Sequence, residues 1–155
     1  MAIILPPEII ALLNRTDTVK VLTTVDEQGV SHCVAKDSLF VTAGGQLAHL
    51  EFFESSWTQR NLVRAIWFGG SASVLLVGTD GQSWQIKGRP VRADISGQLF
   101  REHYESLRKK FGDVDLAAVW IIEPEEIRDQ SVAVRREHEE AAHPFFTHLD
   151  RLVKP

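Results

Sequence analysis

The stretch T-V-K-V-L-T-T-V-D-E-Q-G-V-S-H-C-V-A-K-D-S, Thr18 to Ser38, decides the fold. Val19, Val21, Thr23 and Val25 recur at period two on one side of the chain, with Lys20, Leu22 and Thr24 on the other. β-Branched residues at that period read as strand, because their restricted χ1 suits a pleated surface. Asp26-Glu27-Gln28-Gly29 then supplies a turn, in which Gly29 covers any position that needs positive φ. The chain returns through Val30, His32, Val34 and Lys36. A β-hairpin is expected.

Working outward, Pro6 and Pro7 open a short helix over residues 8–14, with Glu8 at the positive end of its dipole and Ile9, Ile10, Leu12 and Leu13 on an apolar face. Downstream, Leu39-Phe40-Val41 runs into a turn at Ala43-Gly44-Gly45, and residues 46–53 form a third strand. Ser56 is placed to cap a helix from Trp57 to about Ala65, with Leu62, Val63 and Ile66 on one side and Gly69-Gly70 ending it. Residues 71–78 read as a buried strand, Thr79-Asp80-Gly81 as a tight turn, and 83–91 as the next strand. Gly88 inside that strand suggests a bulge or the close approach of another group. Ser96 is a cap candidate for a helix over 97–110, whose apolar stripe is Leu99, Phe100, His103, Tyr104 and Leu107 and whose C-cap is Gly112. Residues 116–124 make the last strong strand, 125–134 are ambiguous, and 135–142 are charged and helical. Pro144 breaks that helix before Phe145 and Phe146, and an amphipathic tail follows over 147–155.

About six strands in hairpins, with helices between and after them, predict a mainly β chain: an antiparallel barrel with flanking helices. Residues 1–127 carry the barrel pattern as one domain, and 128–155 form a helical extension expected to pack on it. No strand–helix alternation with a glycine fingerprint points to a dinucleotide fold.

At 155 residues the chain is long enough to bury a core. A net charge of −4 offers no basic surplus for nucleic acid, and the longest apolar runs are too short to span a bilayer. The first residues lack a basic segment followed by an apolar stretch, and Cys33 is the sole cysteine, so a cytoplasmic setting is expected. Within its strand pattern Cys33 reads as a small core residue. His138, His143 and His148 are spaced by five, which does not gather them on one helical face, so no metal site is expected.

Two segments carry a resemblance to a known family. L-T-T-V-D-E-Q-G-V-S-H resembles the opening hairpin of the pyridoxamine 5'-phosphate oxidase-like, FMN-binding split β-barrel family, L-A-T-x-D-x-x-G-x-P-H, with Leu22, Thr24, Asp26, Gly29 and His32 matching and Ser31 in place of proline. Ser56-Trp57-Thr58-Gln59-Arg60-Asn61-Leu62 is similar to the family's phosphate segment, S-x-K-x-x-N-L or K-T-x-x-N-L. The family's lysine is missing, its place taken by Trp57 or Thr58 according to register. The segment also makes chemical sense by itself: a helix N-terminus offers free N–H groups and positive potential to a phosphate. Arg60 and Arg64 are the nearby groups able to add a charge-assisted bond, while Glu51 and Glu54 oppose an anion unless they point away.

The resemblance implies a Greek-key split β-barrel, a homodimer with two FMN sites at the subunit interface. It implies cofactor contacts from Lys36, Asp37 and Ser38 after the second hairpin strand, from Ser56, Thr58, Gln59, Arg60 and Asn61, and from Gln85 and Lys87 toward the partner's flavin. The implied function is a flavin-dependent oxidoreductase acting on a small molecule or a nicotinamide donor. Its alternatives are a non-catalytic FMN electron carrier and a barrel adapted to haem or a deazaflavin. Oxidation of a vitamin B6 phosphate is a minority reading, since Arg135, Arg136 and His138 do not reproduce the arginine and histidine pattern that reaction needs.

Overall fold

A computed structural model describes residues 1–144. The hairpin forms as expected from β1 (Val19–Val25) and β2 (Ser31–Ala35). Gly29 takes φ 79° at its turn, and Asp26 Oδ1 accepts the N–H groups of Gln28 and Val30 at 2.9 and 2.8 Å. The two residues of β3 (Phe40–Val41) bring the strands to seven, with β4 (Leu47–Glu51), β5 (Ala72–Val77), β6 (Ser83–Asp94) and β7 (Ala118–Asp129). All pairings are antiparallel, in the order β2-β1-β5-β6-β7-β4-β3, a sheet curled into a half-barrel.

The inner face of this sheet holds the main core. Leu22, Leu47, Val74, Leu76, Ile86, Trp120 and Ile122 pack there against Ile9, Leu12 and Leu13 of α1 (Pro7–Asn14) and Leu62 of α2 (Trp57–Phe68). On the outer face, Ala48, Leu50, Val119 and Ile121 lie under Leu99, Phe100, Tyr104 and Leu107 of α3 (Gln98–Phe111). Hence every residue of β4 is buried: this strand is covered on both sides, so period-two polarity is lost there. Among the described residues no helix lies on the outer face of β2, β1 and β5. Beyond the sheet, α4 (Val132–Ala142) follows β7, so the 127/128 boundary falls inside that strand.

β7 runs through Pro124 because β4 pairing ends at Ile122; on that side the Pro124 carbonyl accepts the Ile3 N–H at 2.9 Å, and the missing N–H costs no ladder bond. The β6–β7 register shifts between Lys87 and Gly88 and between Pro90 and Arg92. A side chain at Gly88 would overlap the Glu123 carbonyl, so bulge and close approach are both realised. Gly88→Ala should cost about 2 kcal/mol through that overlap. Urea denaturation measures it, and a loss below about 0.5 kcal/mol, the usual range of a surface change, would show that β7 yields.

Several expectations fail. Val63 and Ile66 do not share the buried side of Leu62: α2 buries Thr58, Asn61 and Leu62, which leaves those two in solvent. β5 is not wholly buried but alternates, with Leu75 exposed on the outer face. Cys33 is exposed, because it pairs with Thr23 on the uncovered side of the hairpin. Ser96 does not cap α3, whose N-cap is Gly97 at φ 91° with no side-chain bond. The tail at 147–155, with Phe145 and Phe146, lies outside the described residues. Among the described residues no helix is long and apolar enough to cross a membrane, and none of their His, Cys, Asp and Glu side chains cluster to hold a metal.

Candidate functional site

Ser56 begins the site. Its extended backbone and side-chain oxygen, which accepts the Gln59 N–H at 2.9 Å, start α2 where the sequence places it. The inward side of the helix is fastened to the barrel: Asn61 Nδ2 donates to Thr24 Oγ1 at 3.0 Å, and Trp120 Nε1 donates to Gln59 Oε1 at 2.6 Å. Thr58 is buried beside them. Gln59 and Asn61 are thus positioning groups, already bonded to the protein.

Arg60 and Arg64 face outward, one turn apart. Arg60 lies 4.7 Å over the Trp57 ring and Arg64 5.2 Å over Phe68, and neither makes an ion pair among the described residues. Between them and the β1–β2 turn lies a cleft of about 120 Å³, lined also by Asn61, Asp26 and Glu27. The two acids are engaged within the turn, Asp26 by the backbone N–H groups and Glu27 Oε1 by Gln28 Nε2 at 2.9 Å. Arg60 in the first turn of α2 and Arg64 one turn on bring two positive charges to one wall of the cleft, and the opposite wall carries the two turn carboxylates.

Lys36 sits differently. Its Nζ is 3.3 Å from Glu51 Oε2, and Glu51 is 1% exposed in its side chain, with Oε1 accepting the Phe53 N–H at 3.2 Å. Glu51 therefore points inward, toward Lys36, rather than at α2. Ser38 Oγ donates to the Leu50 carbonyl at 3.1 Å and accepts the Leu50 N–H at 3.2 Å, while Asp37 is exposed. His49, two residues from Glu51 on the same face of β4 and opposite Trp120 on β7, is fully buried, and neither imidazole nitrogen has a partner. Burial, and then the Lys36 charge, pushes its pKa down to about 4 against the upward pull of Glu51 and of the nearby Leu50 backbone, which lies outside good hydrogen-bond geometry. Nothing in the sequence patterns singled out His49. A polar residue two places from Glu51 inside the run Leu47–Glu51 was the signal available.

Gln85 and Lys87 lie on the outer face of β6, the alternation putting Ile86 and Gly88 inside. Gln85 stands between Leu75 and Arg128, and Lys87 Nζ is 3.8 Å from Glu126. One copy of the chain therefore brings Lys36–Ser38 together with the end of β4, and Ser56–Asn61 together at α2. Gln85 and Lys87 are on the other side of the sheet.

No family model matches the sequence, and no curated protein matches it. Solved structures do. HupZ of group A Streptococcus is 18% identical, with 83% of this chain and 96% of that one covered and a TM-score of 0.68. An FMN-binding protein of Syntrophomonas wolfei is 15% identical over 79% and 84% of the two chains, TM-score 0.62. A pyridoxamine 5'-phosphate oxidase-like protein of Listeria innocua is 22% identical over 80% and 96%, also at 0.62. An F420 reductase and HutZ, the haem storage protein of Vibrio cholerae, superpose at 0.58 and 0.55. The chain shares the split β-barrel fold of these proteins.

Proposed function

We propose that this chain binds FMN and works as a flavin-dependent oxidoreductase on a small molecule or a nicotinamide donor. The observation that carries the reading is the pair of guanidiniums without an ion pair among the described residues, Arg60 in the first turn of α2 and Arg64 one turn further on, lining one cleft. They supply the positive charge that the lysine supplies in the segment this helix resembles. A dianionic phosphate fits such a donor set better than a neutral ligand does. Bound flavin would accept a hydride or electrons; the chain's residues hold and orient it and keep charge near it. In this reading Lys36 holds negative charge near the ring, in competition with Glu51, 3.3 Å from its Nζ.

The same reading makes the protein a homodimer. Val19, Val21, Val25 and Leu75 leave an uncovered, largely apolar patch on the outer face of β1 and β5, next to Gln85 and Lys87 on β6. A partner laid on this face would cover that patch and bring Gln85 and Lys87 to its ligand.

Titration of FMN against the purified protein, read by quenching of flavin fluorescence, tests the site. Arg60→Ala and Arg64→Ala should each weaken binding about tenfold, the worth of one charged hydrogen bond. Unchanged affinity in both would remove the phosphate assignment. A protein that ignores FMN and develops a haem absorption band on adding haem would put the haem alternative in its place.

A further inference from the structure

The outer side of α2 carries more than two charges. Trp57, Arg60, Arg64 and Phe68 recur at intervals of three and four, so they share one face of the helix in the order aromatic, cation, cation, aromatic. Trp67 adjoins Phe68, and the two are 78% and 75% exposed. Aromatic side chains offer roughly 150–250 Å² each, so they form an apolar ledge at the end of the stripe. The ledge is held in place. Gly69, at φ 70°, stops the helix, and the Gly70 N–H donates to the Ala65 carbonyl at 2.8 Å, which closes the last turn. The Arg64 guanidinium lies 5.2 Å over the Phe68 ring, so the second cation and the ledge are contiguous. From Arg60 to Phe68 the axis runs about 12 Å, room for a phosphate, a ribose and a base in succession.

The opposite wall of the cleft points the same way. The turn bonds occupy one oxygen of each carboxylate, Asp26 Oδ1 and Glu27 Oε1. The second oxygen of each carries no hydrogen bond among the described residues. A ligand that ends at its phosphate gives these two acids only repulsion. A ribose beyond the phosphate gives them hydroxyl donors, which a carboxylate accepts well.

We propose that the cofactor of this site is a dinucleotide flavin, with its pyrophosphate between Arg60 and Arg64 and its adenine stacked on the Trp67–Phe68 ledge. The place that both guanidiniums give to an FMN phosphate takes a pyrophosphate with one phosphate at each. The adenosine ribose then lies against Asp26 and Glu27, and the base continues past Arg64 onto the exposed rings. Base stacking on an aromatic side chain needs no hydrogen-bond pattern, which suits a ledge that presents ring faces and no polar reader beside them. The inference rests on the flavin reading above and names which flavin the site takes.

Calorimetric titration of the full chain with FAD, FMN and ADP tests it. FAD should bind about tenfold more tightly than FMN, as one stacked base is worth. ADP should displace FMN, and adenosine, which lacks the phosphates, should not. Trp67→Ser with Phe68→Ser should lower FAD affinity about tenfold, to the level of FMN. The same variant should leave FMN affinity and the circular dichroism spectrum unchanged, because both side chains are exposed. FAD and FMN binding equally well, FMN that ADP fails to displace, or a double variant that loses both flavins alike would each overturn the inference and leave the flavin reading standing. A chain that binds neither flavin would overturn both.

Discussion

Acidification from pH 6.5 to pH 4 should remove about 3 kcal/mol of stability through His49 alone. The unfolded imidazole takes up a proton near pH 6.5, whereas the folded one, buried and without a hydrogen-bond partner, resists until about pH 4. Between those values the unfolded chain binds one more proton than the folded chain, so stability falls as pH falls, at about 1.4 kcal/mol per pH unit, and levels off below the folded pKa. The charged groups in play are Lys36, which lowers the folded pKa, and Glu51, which raises it. Carboxylates titrate in the same range, so the readout is a difference. Urea denaturation of the wild type and of His49→Gln, from pH 7.5 to pH 3.5, should show the gap between them shifting in favour of the variant by about 3 kcal/mol as pH drops. A gap that stays constant with pH would mean the imidazole finds a partner or water that stabilises its charged form.

How much of this was legible in advance follows from what each element buries. The β1–β2 hairpin shows itself in sequence because one of its faces is open, so period two survives, and because Gly29 and Asp26 do what turn residues do in any context. The Ser56 cap is legible for the same reason, being a local bond. β4 is different. Covered by α2 and the core on one side and by α3 on the other, it reads as an unbroken apolar run, and the polar pair His49 and Glu51 hides in it.

The facing of α2 was illegible because its rotation is set by long-range bonds. Asn61 to Thr24 and Gln59 to Trp120 span 37 and 61 residues, and no local pattern announces them. Read by apolar spacing, Val63 and Ile66 belong to the core. Read by those two bonds, they belong outside with Trp67, beside the guanidinium stripe of Arg60 and Arg64. Six of the proposed ligand contacts, Lys36, Ser38, Ser56, Gln59, Asn61 and Lys87, carry internal bonds or ion pairs, which divides the site into a rigid frame and a smaller set of groups free to meet a ligand.

Lys36 is where frame and ligand readings compete, and its removal separates them. Lys36→Met should cost about 3 kcal/mol, because it strands the buried Glu51 carboxylate with the Phe53 N–H alone. Glu51→Gln should cost less, since a long lysine side chain that is already 15% exposed can extend its ammonium to water. Combining the two should recover most of the loss, because no buried charge then lacks its partner, and the double-mutant cycle should return a coupling of about 2 kcal/mol. The ligand reading makes a separate claim. If Lys36 also holds negative charge on the flavin, the double variant should regain its stability but not its FMN affinity. Affinity that recovers together with stability would make Lys36 part of the frame and leave Arg60 and Arg64 as the groups that carry the charge. A wild type no more stable than Lys36→Met by urea denaturation would instead show that the Lys36–Glu51 pair adds nothing net to the fold, its attraction cancelled by desolvation.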